Sequence, residues 1–165
     1  MSDLLKDELE TKGLPGNLNV LTILTFIGCG FGFLGGIWQY FAADKSVASM
    51  EKTMNSPEFN NMPEFAKKMM SPEALERAKV MAANKLPILI LGLIGVALCL
   101  VGALQMRKLK MQGYYFWMIG EILPVIGMLI FIGAGAFAGW AALVGYGILL
   151  VFIILYTTQR KYLVN

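Results

Sequence analysis

The sequence predicts an all-α membrane protein in which four transmembrane helices carry a short helical extramembrane segment between the first and the second. Mean hydropathy is +0.63, and 57% of the 165 residues are hydrophobic while only 15% are charged, a balance far from that of soluble domains. Four apolar runs, 18–43, 87–106, 114–136 and 141–157, approach or exceed the roughly 20 residues that a hydrocarbon core requires. None of them alternates apolar and polar residues as a membrane β-strand would.

Residues 1–17 combine Leu4, Leu5 and Leu9 with Asp3, Asp7, Glu8 and Glu10. They lack the basic start and adjoining apolar core of a secretory signal, and are predicted as an amphipathic amino terminus on the cytoplasmic surface. Asn17 or Asn19 is placed to cap the first span after the Gly13-Leu-Pro-Gly16 breaker. Within that span Gly28, Gly32 and Gly36 recur at intervals of four, which presents bare backbone on one face and predicts close helix packing. The same face could instead wall a ligand groove. Trp38 and Tyr40 stand where an aromatic belt would mark the far interface.

The 44–86 segment is punctuated throughout as helix. Ser71-Pro72-Glu73-Ala74 is a start signal with serine as cap, proline in the first turn and an early carboxylate, and Ser56-Pro57-Glu58 and Met62-Pro63-Glu64 repeat it more weakly. Helices are predicted over 44–55, 63–70 and 72–85. Phe59, Phe65, Met69, Met70, Leu75 and Met81 give this segment an apolar side, too small to form a core of its own and therefore a candidate face for a partner. Clustered methionines can also hold copper(I), but with no histidine in the chain and no tight repeat of thioethers they are read as an adaptable interface and no metal site is expected.

The second span carries Gly95 and Gly102 on a further small-residue face, and the connection 107–113 that follows it holds Arg107, Lys108 and Lys110. A tight turn at 137–140 separates the third and fourth spans, and the tail 158–165 holds Arg160 and Lys161. Basic residues crowded next to span ends mark the cytoplasmic side. Both termini are therefore expected in the cytoplasm, with 44–86 outside it.

The third span contains the chemistry. Glu121 is an acid inside a membrane run, and Pro124 follows three residues later. An ionisable group there costs roughly 2.5–3.5 kcal/mol on insertion scales and is a functional hypothesis by default. Proline leaves the carbonyl of Gly120 without its helical donor, so a polar notch is expected beside the carboxyl group, which lies roughly 10 Å beyond Tyr114 along the helix. Thr22, Thr25 or a tyrosine of another span is expected to bond it. Cys29 and Cys99 fall within spans and are read as small apolar residues. The lack of histidine removes the commonest acid–base residue and metal ligand, nucleotide and metalloprotease motifs are missing, and the net charge of +3 is too dispersed for a nucleic-acid surface. Neither cofactor nor catalysis is expected.

At Asn19-Val-Leu-Thr-Ile-Leu-Thr-Phe-Ile-Gly28 and Arg107-Lys-Leu-Lys-Met-Gln-Gly-Tyr-Tyr-Phe116 the chain resembles a group of uncharacterised small four-span membrane proteins of Bacteroidota. The resemblance covers these two segments. It implies a bacterial inner-membrane address and supplies no catalytic or ligand residue. Members of that group often carry a neutral amide near the place of Glu121, which implies that the shared fold does not require the carboxylate. The expected role is that of a non-catalytic accessory or scaffold subunit of a larger membrane complex, embedded in lipid beside other subunits. The alternative is a small proton- or cation-coupled transporter that uses Glu121 and builds its pathway as a homo-oligomer.

Overall fold

A computed structural model describes residues 14–137 and 140–164. The amphipathic helix expected over 1–17 therefore falls largely outside the described residues, as does the centre of the 137–140 turn. The helices are α1 (Gly16–Met54), α2 (Glu64–Met69), α3 (Pro72–Ala83), α4 (Lys85–Arg107), α5 (Met111–Ile132) and α6 (Trp140–Gln159), with short 3-10 turns at Pro57–Asn61, Gly133–Phe137 and Arg160–Tyr162. Four of them, α1, α4, α5 and α6, are long and apolar enough to cross a membrane. The protein is thus an all-helical membrane protein with four spanning helices and short helices between the first two.

α1 differs from expectation in length. Its 39 residues extend about 58 Å, well beyond the roughly 30 Å of a hydrocarbon core, and the separate helix expected over 44–55 is its continuation. The composition changes at Asp44, but no glycine or proline stands between Gly36 and Asn55 to end the helix; the charges mark its exit from lipid. The expected asparagine cap is also absent, because α1 starts after Pro15 without a side-chain cap and Asn19 faces another helix.

α3 starts as its sequence signal requires: the Ser71 hydroxyl accepts a bond from the Ala74 amide at 3.3 Å, and Pro72 occupies the first turn. It folds back along the extension of α1, held by Lys79 to Glu51 at 2.9 Å. At the start of α4, Lys85 pairs with Asp44 and stacks its ammonium over the Tyr40 ring at 5.3 Å.

The tightest seam in the protein joins α4 to α5. A methyl group added to Gly102 would lie 2.6 Å from the Trp117 nitrogen and 2.7 Å from the Gly113 carbonyl oxygen; on Gly95 it would lie 2.7 Å from Pro124 Cγ and 2.8 Å from the Gly120 carbonyl oxygen. From the other side, a methyl on Gly113, Gly120 or Gly127 meets α4 at 2.6–2.7 Å. Only glycine lets two backbones run this close. The stripe on α1 is different. Gly28 has nothing within 4 Å of such a methyl, Gly32 has only a Val96 methyl at 3.4 Å, and Gly36 only a Leu89 methyl at 3.6 Å. The close approach expected on the first span occurs instead between the second and third.

α5 ends at Ile132, four residues before the expected end of the third span, because Gly133 adopts φ 70° and turns the chain out of the helix. At the opposite end the chain closes on itself. Leu109 takes φ 58° in the α4–α5 connection, and Val164 pairs beside it, its amide donating to the Leu109 carbonyl at 2.7 Å and its carbonyl accepting from the Met111 amide at 2.9 Å. Leu163 is buried with Leu18, Met106, Tyr114, Trp117 and Tyr156 in the core cluster at this end.

The two glycine stripes predict opposite responses. Gly102→Ala should lower stability in detergent by roughly 1–3 kcal/mol through overpacking, whereas Gly28→Ala should leave it within about 0.5 kcal/mol, as at sites free of special contacts. Equal losses in an SDS-titration unfolding assay would show that the seam has been assigned to the wrong helix pair.

Candidate functional site

A polar layer crosses the middle of the bundle at Glu121. The carboxyl group is half-buried and accepts a weak bond from the Cys99 thiol, Sγ to Oε1 3.7 Å. Cys99 reaches this position because the glycine seam brings α4 against α5; its sulfur also lies 3.7 Å from the Trp117 carbonyl oxygen. Cys29 of α1 sits beside Cys99, its thiol 3.9 Å from the Val96 carbonyl oxygen. Both cysteines are buried and free of disulfides.

The expected partners of Glu121 serve other groups. Thr25 bonds the Tyr156 hydroxyl at 2.8 Å, linking α1 to α6. Thr22 is fully buried, accepts from the Arg107 guanidinium at 3.2 Å and donates to the Asn19 carbonyl at 2.9 Å. Arg107 also reaches the Asn19 side chain at 3.0 Å. The threonines are cross-helix polar contacts, but they face α4 and α6 rather than the carboxylate. Sequence reasoning read Cys99 only as a small apolar residue and Arg107 only as a charge marking orientation, and it did not name Tyr156. The place of Cys99 four residues after Gly95 and three before Gly102 on one helical face is what sets it against α5.

At Pro124, Gly95 packs directly onto the proline ring and the Gly120 carbonyl, while Gly95, Gly120, Glu121 and Pro124 together border one groove. Space opens on both sides of Glu121. One groove of about 380 Å³ lies among α1, α4, α5 and α6 and is lined by Thr25, Gly28, Cys29, Cys99, Glu121 and Gly145. A second, of about 540 Å³, runs among α3, α5 and α6 from Glu121 to Arg77. Gly32 and Gly36 border a third, of about 350 Å³, near Lys85 and Met81. The glycines of α1 thus wall grooves, as the second reading of their spacing allowed.

α6 stands apart from the other spans over most of its length. Its attachments to the other spans lie near its carboxyl-terminal end: Tyr156 packs on Trp117 with tilted rings, centroids 4.3 Å apart, and the Tyr114 hydroxyl bonds Thr157 at 3.0 Å; near its start Tyr146 meets Phe137 of the preceding turn at 4.9 Å. Gly145 and Gly147, near its start, have nothing within 4 Å of an added methyl.

In the extramembrane segment Phe65 and Met69 are exposed, while Phe59, Met70, Leu75 and Met81 are half-buried. No group of three or more cysteine, aspartate or glutamate side chains placed to hold a metal ion occurs among the described residues. Comparison with protein-family models, with curated proteins and with solved structures finds no match to this chain.

Proposed function

We propose that the protein is a non-catalytic accessory or scaffold subunit of a larger assembly in the bacterial inner membrane, with both termini cytoplasmic. The observation that carries this reading is the extramembrane segment: α2 buries none of its six residues and holds Phe65 and Met69 at 70% and 61% exposure, outside the length that the bilayer covers. Large apolar side chains displayed together beyond lipid are the mark of a protein contact surface, and methionine and phenylalanine are favoured at such surfaces. Lys67 and Lys68 on the same short helix supply the polar rim. The loose first half of α6 adds a place where a neighbouring span could enter.

Gentle detergent extraction followed by native mass measurement should recover this chain with other polypeptides, and Phe65→Ser combined with Met69→Ser should release them. A clean homo-oligomer without companions would overturn the accessory reading. In this reading both termini face the cytoplasm, and a reporter fused after the last residue that reads extracytoplasmic would reverse that orientation.

A second reading rests on a separate observation, that Glu121 fronts grooves on two sides of α5. In this reading an oligomer of the chain couples proton or cation movement to transport through that carboxylate. Glu121→Gln should then abolish proton-dependent uptake in vesicles while leaving assembly intact. Unchanged uptake in that variant removes the idea.

A further inference from the structure

The groove between Glu121 and Arg77 has a chemistry of its own. Its walls are apolar, formed by Met81 of α3, Met128 and Ile132 of α5, and Leu149 of α6. Glu121 and Ile132 lie eleven residues apart on α5, so the groove follows about 16 Å of helix and is open along its flank. At its extramembrane mouth stands Arg77. The aliphatic stem of that residue rests on the turn after α5, where a methyl added to Gly135 would meet Arg77 Cδ at 3.0 Å.

The neighbouring charges of this region are committed. Lys79 pairs with Glu51 and with Glu76, and Lys85 pairs with Asp44. Among the described residues Arg77 has no ion pair, although the exposed Glu73 lies one turn before it on α3. A half-buried arginine that makes no ion pair among the described residues, at the mouth of a chain-shaped apolar groove, is complementary to an anionic group attached to a hydrocarbon chain.

We propose that this groove binds one anionic phospholipid, with its phosphate on the Arg77 guanidinium and one acyl chain lying along α5 toward Glu121. The planar, weakly hydrated fork of arginine matches phosphate oxygens, and basic pockets between transmembrane helices hold anionic head groups in this way. The open flank decides for a phospholipid over a single-chain acid, because the second chain stays in the bilayer while the first enters the groove. The site is independent of the partner surface on α2.

The test uses the full-length protein, delipidated in mild detergent and titrated with dioleoyl phosphatidylglycerol or dioleoyl phosphatidylcholine under native mass measurement. Phosphatidylglycerol should bind about fivefold more tightly than phosphatidylcholine, the effect of one basic side chain at a membrane surface. Arg77→Gln should abolish that preference, Arg77→Lys should restore part of it, and Lys79→Gln should leave it unchanged. Gly145→Phe provides an arm that does not touch the cation: the position has open space around it and borders the groove, so the ring should block the acyl chain and reduce binding with Arg77 intact. Equal binding of the two lipids, or wild-type binding by both Arg77→Gln and Gly145→Phe, overturns the proposal. Displacement of the phospholipid by one equivalent of oleate overturns the assignment to phospholipid in favour of free fatty acid.

Discussion

Between α4 and α5 the backbones lie so close that a Cβ on Gly95, Gly102, Gly113 or Gly120 would fall within 2.6–2.8 Å of a backbone atom of the opposing helix. In lipid, where burying apolar surface against another helix gains nothing over burying it against acyl chains, this kind of contact supplies dispersion energy that larger side chains would keep out of reach. The rest of the architecture follows from it. The seam presses Gly95 onto Pro124, so the helix-interrupting residue packs against the neighbouring helix. It also sets Cys99 against Glu121, and it brings the α4–α5 connection into the position where Leu109 and Met111 pair with Val164.

α1 and α6 join this hairpin by different means. Leu18, Leu21 and Cys29 of α1 pack into the apolar core, and the remaining links are polar or aromatic and local: Arg107 to Asn19 and Thr22, Thr25 to Tyr156, and Tyr156 on Trp117. A hydrogen bond inside a membrane bundle contributes on average only about 0.6 kcal/mol, so these contacts fix register and rotation more than they add stability. They gather toward the end of the bundle at which the chain closes on Val164. Toward the other end α6 is little constrained, and the grooves beside Glu121 exist because no large side chain of α1 or α6 fills them.

How much of this was legible follows the physics of each feature. Spans were legible because insertion depends on summed hydropathy, a property of each segment alone, and the Ser71-Pro72 start of α3 because a cap is a local bond. The end of α1 was not, since the sequence change at Asp44 records the passage from lipid to water, which a helix crosses without interruption. The stripes Gly28-Gly32-Gly36 and Gly113-Gly120-Gly127 are equally visible, but spacing says only that a face is thin. Whether a thin face meets a backbone or borders a groove depends on where the neighbouring helix lies, and that is a property of the assembled bundle. The same limit applies to Thr22 and Thr25, whose polar character inside a span was evident while their partners across the bundle, Arg107 and Tyr156, required the helix order around it. The pairing of Val164 with the α4–α5 connection had no local signature at all.

Glu121 acquires a different meaning from these surroundings. Its direct contact is a thiol, a weak donor, at 3.7 Å, which satisfies little of what two carboxyl oxygens can accept. The hydroxyl of Tyr156 is engaged with Thr25, and Arg107 with Asn19 and Thr22. Pro124 and Gly95 close the seam side, so any further partner must reach the carboxyl group through the grooves that flank it. Whatever enters there, a neighbouring span or a lipid chain, determines what the carboxyl group meets. The acid is therefore coupled to the state of the protein's outer surfaces by the same close glycine packing that gives it only a thiol as partner among the described residues.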